Sequence, residues 1–112
     1  VLDQLKQVLE IDSLRFHGHT DAEVGRIAVC GGSGGDFIME ARKAGAQLYI
    51  TGEIKHHTYV ESGLMLVEAG HFDTEKCFCS IMAEGLQKAL HDVNCNISVL
   101  ISEKRERPYI NY

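Results

Sequence analysis

The residues best suited to chemistry follow the apolar run Leu64–Val67, which has the length of a strand. His71 comes four residues after Val67. The residues that follow it predict the start of a helix, with Asp73 as its cap and Glu75 in its first turn. In open α/β sheets, ligands bind at the carboxyl ends of the strands, where loops lead into the helices. An imidazole and a carboxylate there could be two ligands of a divalent metal. The alternative is structural: Glu75 complements the helix dipole and His71 packs at the strand end.

A second polar group follows the strand predicted over Gln47–Thr51. Glu53, His56 and His57 lie at or just past its carboxyl end, on the rim that carries His71. Adjacent histidines on a helix diverge by about 100°, so one of them could line a pocket while the other stays partly solvated. These three residues are candidates for proton transfer or for contacts behind the metal ligands.

A glycine-rich loop, Gly31–Gly35, joins a strand predicted over Arg26–Cys30 to a helix predicted over Asp36–Ala44. Strand, glycine loop and helix is the layout that binds phosphate through backbone N–H groups. The loop matches neither G-x-G-x-x-G nor the Walker A pattern, so ligand binding and a tight turn both stay open. The candidate ligand-binding residues are Gly31, Gly32, Ser33, Gly34, Gly35, Thr51, His56 and His57.

Hydrophobic periodicity places these residues on an α/β fold with a mainly parallel or mixed sheet and helices on both faces. Helices are predicted over 2–10, 36–44 and 74–91, and a short helix is predicted to continue over 58–62. Strands are predicted over 14–17, 26–30, 47–51, 64–67 and 96–101. His17 and His19 would be surface histidines of an edge strand or loop. The last helix is expected to bury an apolar stripe, namely Phe78, Ile81, Met82, Leu86, Ala89 and Leu90.

Length and composition predict one globular domain over residues 1–112, with a tail over 102–112. The formal net charge of −5 argues against non-specific binding of nucleic acid. The basic run Lys104–Arg107 is therefore expected to be solvated, whereas Tyr109, Ile110 and Tyr112 could pack on a partner.

The cysteines and the hydropathy pattern predict a cytoplasmic protein. The four cysteines form no C-x-x-C pair and favour reduced thiols. No apolar run approaches the ~18 residues of a membrane span, and no signal peptide is visible.

Three stretches together are more specific than any one of them: A-V-C-G-G-S-G-G at 28–35, Y-I-T-G-E-I-K-H-H at 49–57 and E-A-G-H-F-D-T-E at 68–75. In this order and spacing they resemble the C-terminal lobe of the Nif-three-like family, whose members are also called GTP cyclohydrolase I type 2 homologues. The resemblance covers nearly the whole chain.

The resemblance implies two α/β lobes facing a cleft with two divalent metal ions, and ring-shaped hexamers. It makes His71 and Glu75 metal ligands and places Glu53, His56 and His57 near the cleft. The remaining ligands of the family, a His-His-Pro stretch and an aspartate, belong to the N-terminal lobe and have no counterpart here. The chain is therefore expected to be a C-terminal lobe that holds part of the metal site.

Three functions follow as hypotheses. The first is a lobe of a metal-dependent hydrolase that acts on a nucleotide, a phosphoester or a purine ring, with Zn, Mn, Fe or Mg not distinguished. The second is a non-catalytic module that holds metal or binds a regulatory protein. The third is a nucleotide-binding domain that uses only the glycine loop.

Overall fold

The computed structural model describes residues 1–104 and 107–110. The strands are β1 (Arg15–His17), β2 (Ile27–Cys30), β3 (Leu48–Thr51) and β4 (Met65–Glu68). The helices are α1 (Leu2–Leu9), α2 (Ile38–Lys43), α3 (His56–Glu61), α4 (His71–Glu75) and α5 (Phe78–Asp92), and a short 3-10 helix, Gly34–Phe37, precedes α2. The predicted α/β class is confirmed.

The strands form one mixed sheet in the order β1-β4-β3-β2. The three strands β2, β3 and β4 are parallel, and β1 runs antiparallel to β4. Because parallel strands share one carboxyl edge, the loops that follow β2, β3 and β4 leave the sheet side by side.

Side chains that alternate along the central strands build two apolar layers. On one face Tyr49 and Leu66, which are register partners, pack with Ile38 and Ala41 of α2. On the other face Leu48, Ile50 and Val67 pack with α1 through one helical stripe, namely Leu2, Leu5 and Leu9. Helices therefore cover both faces of the sheet, as predicted.

The chain divides into two compact units, residues 1–75 and residues 76–112. The first unit contains all four strands of the sheet and the helices α1 to α4. The second contains α5 and the segment that follows it.

The prediction of one long helix over 74–91 is wrong in two respects. The helical structure begins earlier, at His71, and it is divided into two helices. α4 ends at Glu75 and α5 begins at Phe78. Thr74 donates its hydroxyl proton to the carbonyl oxygens of Gly70 and His71, each at 3.0 Å. Such back-bonds compete with helical hydrogen bonds and bend helices. Asp73 does not cap the helix, because it lies inside α4, where it is buried.

The predicted burial of the α5 stripe is also wrong. Phe78, Ile81, Met82 and Leu86 are all exposed. An amphipathic pattern shows which face of a helix suits burial, but it does not show that a covering element exists in the same chain.

The strand predicted over 96–101 has no regular structure. The side chain of Gln87, on α5, hydrogen-bonds the segment instead: its Nε2 donates to the carbonyl of Ile97, and its Oε1 accepts from the Val99 N–H. A strand needs a neighbour to pair with, and high β-propensity alone does not supply one.

Two helix boundaries also differ. The helix predicted over 36–44 begins as the 3-10 turn Gly34–Phe37, and the helix predicted to continue over 58–62 ends at Glu61. Helix ends are the least certain part of a periodicity reading. The predictions for Lys104–Arg107 and for Tyr112 fall partly or wholly outside the described residues.

Two further properties of the described residues are the state of the cysteines and the apolar character of the helices. Cys30, Cys77, Cys79 and Cys95 are free thiols. Within residues 1–104 and 107–110, no helix combines the length and the apolar character needed to cross a bilayer.

The core of the first unit yields a stability test. Leu66 is fully buried at the centre of β4, so Leu66→Ala should lower the free energy of unfolding by about 2–5 kcal/mol through lost burial and a cavity. Val60→Ala, on an exposed position of α3, should change it by less than about 0.5 kcal/mol. Urea unfolding followed by circular dichroism measures both. Equal midpoints for the two variants would contradict this account of the core.

Candidate functional site

The site is built where three loops leave the carboxyl edge of the parallel strands. The loop Gly31–Gly35 follows β2, Gly52 and Glu53 follow β3, and Gly70 leads from β4 into α4. The three stretches that are far apart in sequence are therefore neighbours in space.

Gly52 shows how closely the three loops approach one another. A Cβ atom on Gly52 would lie 2.7 Å from the carbonyl oxygen of Gly32 and 2.8 Å from the Cα of His71. Both of those atoms are backbone, so they cannot yield to a side chain. Only glycine fits between the glycine loop and α4.

Side-chain hydroxyls fix the glycine loop from both sides. The N–H of Gly32 donates to Thr74 Oγ1 at 2.9 Å, and the N–H of Gly34 donates to Thr51 Oγ1 at 3.0 Å. Tyr49 donates its phenolic proton to the carbonyl of Gly34 at 2.7 Å. Two loop N–H groups that a phosphate would need are thus already bonded within the protein.

At the centre of the site the imidazole of His71 lies between two carboxylates. Nδ1 is 3.0 Å from Oε1 of Glu53, and Nε2 is 3.1 Å from Oε2 of Glu75, one helical turn further along α4. Ser33 donates to the second oxygen of Glu53 at 2.5 Å, and its Oγ is 3.4 Å from Nδ1 of His71. We call His71, Glu53, Glu75 and Ser33 the His71 cluster.

The cluster is open to solvent and favours ionised Glu53. The side chains of His71, Glu53 and Glu75 are 41%, 55% and 54% exposed. The hydrogen bond from Ser33, followed by the one from His71, lowers the pKa of Glu53 below its usual value. An ionised carboxylate only accepts hydrogen bonds, so both contacts stay intact near neutral pH.

The spacing of His71 and Glu75 suits two of the donors of one divalent metal. Two donors on one tetrahedral zinc are about 3.3 Å apart, close to the 3.1 Å between Nε2 and Oε2. An oxygen behind the other imidazole nitrogen, here Oε1 of Glu53, is the usual accompaniment of a metal-bound histidine. Over the described residues, no three His, Cys, Asp or Glu side chains are arranged around a common metal position.

A cleft of about 330 Å³ opens beside the cluster. It shares Ser33 and Glu53 with the cluster, and its other lining residues are Gly35, Asp36, Ile54, Lys55, Thr58 and Glu68. Glu68 accepts hydrogen bonds from Arg15, at 2.9 Å, and from Tyr59. Burial and the neighbouring carboxylate raise the pKa of Tyr59, which keeps its phenol a donor.

The predicted site residues divide into three groups. The structure brings His71, Glu75, Glu53 and Ser33 together. Thr51 is fully buried, and its hydroxyl accepts from the Gly34 N–H and donates to the Gly32 carbonyl of the glycine loop. His56 and His57 are exposed in the first turn of α3, and no described hydrogen bond or ion pair joins either one to the cluster.

Sequence reasoning missed the roles of Gly52 and Thr74. Both stand inside the quoted stretches, at T-G-E and D-T-E, but neither side chain is a metal ligand or a base. A glycine directly after a buried strand signals a close backbone approach. The partner of Thr74 lies 42 residues away and has no signal in a single sequence.

Comparison with known proteins finds relatives that match nearly the whole of this chain. Residues 1–108 match the family described as Duf34/NIF3 (NGG1p interacting factor 3). A protein of Clostridium acetobutylicum named GTP cyclohydrolase 1 type 2 homolog is 38% identical over 96% of this chain and 41% of its own length. A Streptococcus pneumoniae protein of the same name is 34% identical over 95% of this chain and 42% of its own length.

Solved structures agree with the fold. A crystal structure of a Staphylococcus aureus protein superposes with a TM-score of 0.88 at 29% identity, covering 98% of this chain and 36% of that one. A Bacillus cereus protein related to NIF3 gives a TM-score of 0.84 at 29% identity, covering 98% of this chain and 31% of that one. The chain thus spans less than half the length of the relatives named here.

The contact between Thr74 and the loop is testable. Thr74→Val removes the acceptor of the buried Gly32 N–H and should lower the free energy of unfolding by about 1–3 kcal/mol. Thr74→Ser keeps the hydroxyl and should lose clearly less. Urea unfolding compares the two variants. A serine variant as unstable as the valine variant would show that the hydroxyl does not hold the loop.

Proposed function

This chain belongs to the Duf34/NIF3 family, and we propose that it is the metal-holding lobe of a divalent-metal-dependent hydrolase. The single observation that carries the proposal is the pairing of His71 Nε2 with Glu75 Oε2 at 3.1 Å, on an exposed helical turn at the carboxyl edge of the sheet. The resemblance found in the sequence assigns the same two residues as metal ligands.

The geometry of α4 suits ligation. Residues four apart on a helix face the same side, so His71 and Glu75 present their donor atoms together. His71 begins α4 immediately after Gly70, whose φ of +91° turns the chain out of β4. The turn and the helix therefore set the direction of both side chains before any metal binds.

A bound divalent metal would activate water and stabilise negative charge on a carbonyl or phosphoryl oxygen. The chain supplies two of the donors, whereas tight sites use three or four. Because the chain spans 41% and 42% of the two named relatives, we propose that a second lobe supplies the others. Histidine with carboxylate suits Zn, Mn, Fe and Mg.

The proposed substrate is a small molecule, either a nucleotide or a related phosphoester or purine. The cleft of about 330 Å³ adjoins the cluster and is large enough for part of such a molecule. The relatives' name, GTP cyclohydrolase 1 type 2 homolog, supports this class. The glycine loop is not the expected phosphate site, since Gly32 and Gly34 donate within the protein. His56 and His57 remain candidates for contacts with the substrate.

A second candidate function is a non-catalytic module that holds metal or binds a protein. The family description, interacting factor 3, favours it. Assembly into ring-shaped hexamers and a cytoplasmic location, both expected from the sequence, remain predictions.

Metal content tests the proposal directly. We expect divalent metal, measured by elemental analysis, in a longer protein that carries both lobes, and its loss in the double variant His71→Ala, Glu75→Ala. The matched control is His19→Ala, Glu61→Ala, which removes the same two residue types from exposed positions outside the cluster. Equal metal in both double variants would overturn the metal site.

Turnover separates the enzyme from the binding module. The longer protein, loaded with each metal in turn, should hydrolyse a nucleotide or a phosphoester, and Glu75→Ala should abolish that activity. Metal that depends on Glu75 without hydrolysis of any substrate class would favour the non-catalytic module.

A further inference from the structure

The contacts of Glu53 suggest a role behind the metal ligands rather than in proton transfer. Oε1 faces Nδ1 of His71 at 3.0 Å, and Oε2 accepts the Ser33 hydroxyl proton at 2.5 Å. Both oxygens are therefore engaged, although a general base needs one free to approach its substrate.

The contacts around Nδ1 of His71 suit the tautomer that a metal-bound imidazole needs. The carboxylate of Glu53 can only accept. Ser33 has a single hydroxyl proton, which goes to Glu53, so its Oγ at 3.4 Å offers Nδ1 only lone pairs. Nε2 also faces a carboxylate, Oε2 of Glu75 at 3.1 Å. A divalent cation shared by Nε2 and Glu75 would take the Nε2 lone pair, and the imidazole proton then belongs on Nδ1, where Glu53 accepts it.

The glycine loop holds this arrangement in place. Ser33 stands between Gly32 and Gly34, whose N–H groups are bonded to Thr74 and Thr51. The carbonyl of Gly32 accepts from the backbone N–H of Glu53 at 3.1 Å. The backbones of both members of the Ser33–Glu53 pair are thus tied to one rigid turn.

From these contacts we propose that Glu53, held by Ser33, is a positioning residue that accepts the Nδ1 proton of His71 and so favours the tautomer whose Nε2 lone pair can bind a divalent cation beside Glu75. This inference rests on the proposed metal site. The glycine loop then has a function other than phosphate binding, because it places the Ser33 hydroxyl within hydrogen-bonding distance of Glu53. A carboxylate in this position also makes the imidazole a better ligand.

Nitrogen-15 spectroscopy of the histidine side chains reads the proton position without any metal. We would use the chain at about pH 8.5, roughly two units above the ordinary histidine pKa, and assign His71 by the signal lost in His71→Gln. Glu75→Ala leaves Glu53 as the one carboxylate of the His71 cluster, and the imidazole proton should then lie on Nδ1. The double variant Glu53→Ala, Glu75→Ala should move it to Nε2, the nitrogen that carries the proton in a free histidine side chain. A proton on Nε2 in Glu75→Ala, or on Nδ1 in the double variant, would overturn the inference.

Zinc affinity of the longer protein that carries both lobes, measured by competition with a chelating dye, gives the second readout. Glu53→Ala should weaken binding by about 10–100-fold, and Ser33→Ala should weaken it by a smaller factor. Glu61→Ala, an exposed carboxylate of α3, should bind as the wild type does. Circular dichroism checks that each variant is folded, which the exposure of Glu53 leads us to expect.

The two measurements separate this inference from the proposed function. If Glu53→Ala binds zinc as tightly as the wild type, Glu53 does not position His71, although the metal site stands. If the longer wild-type protein binds zinc no better than its His71→Ala, Glu75→Ala variant, the proposed function fails. The proton position in the nitrogen-15 spectrum then still decides whether Glu53 orients the imidazole.

Discussion

The carbonyl oxygen of Gly32 holds the site together. It accepts three hydrogen bonds: from the N–H of Gly52 at 2.9 Å, from the N–H of Glu53 at 3.1 Å and from the Thr51 hydroxyl at 3.1 Å. All three donors come from the end of β3, so the loop after β2 is tied to the next strand of the sheet. The absence of a side chain on Gly52 then lets α4 approach the same point. The contacts that join Ser33 and Glu53 to His71 depend on this junction.

The charges of the cluster follow from its position at the sheet edge. Two carboxylates flank one imidazole, and all three side chains are about half exposed. Burial of such a group would cost several kcal/mol per ion, whereas at the rim water reduces that cost. The cluster is therefore accessible to a cation and to a substrate, while the buried hydroxyl of Thr51 and the half-buried one of Thr74 keep its backbone fixed. Rigid backbone beneath exposed polar side chains is the arrangement that binding sites use.

Sequence reasoning succeeded where a local pattern had one physical cause. Alternation and apolar runs located all four strands of the sheet, because β3 and β4 are buried on both faces and cannot be polar. It failed for the stripe on α5 and the strand over 96–101. Both predictions required a covering or pairing partner, and a single sequence does not state whether a partner is present. The exposed Met82 and the Gln87 side chain that bonds residues 97 and 99 are the result.

The α/β class, the family resemblance and the placement of His71 and Glu75 after β4 could be read from the sequence, because strand ends, glycine turns and helix starts depend on neighbouring residues. The contacts of Ser33 and Glu53 with His71 are visible only in the tertiary structure, as is the lack of any described hydrogen bond or ion pair from His56 or His57 to the cluster. Ser33 lies 20 residues from Glu53 and 38 from His71. Contacts over such separations depend on sheet order and on the close approach at Gly52, which are properties of the packed strands rather than of any local stretch.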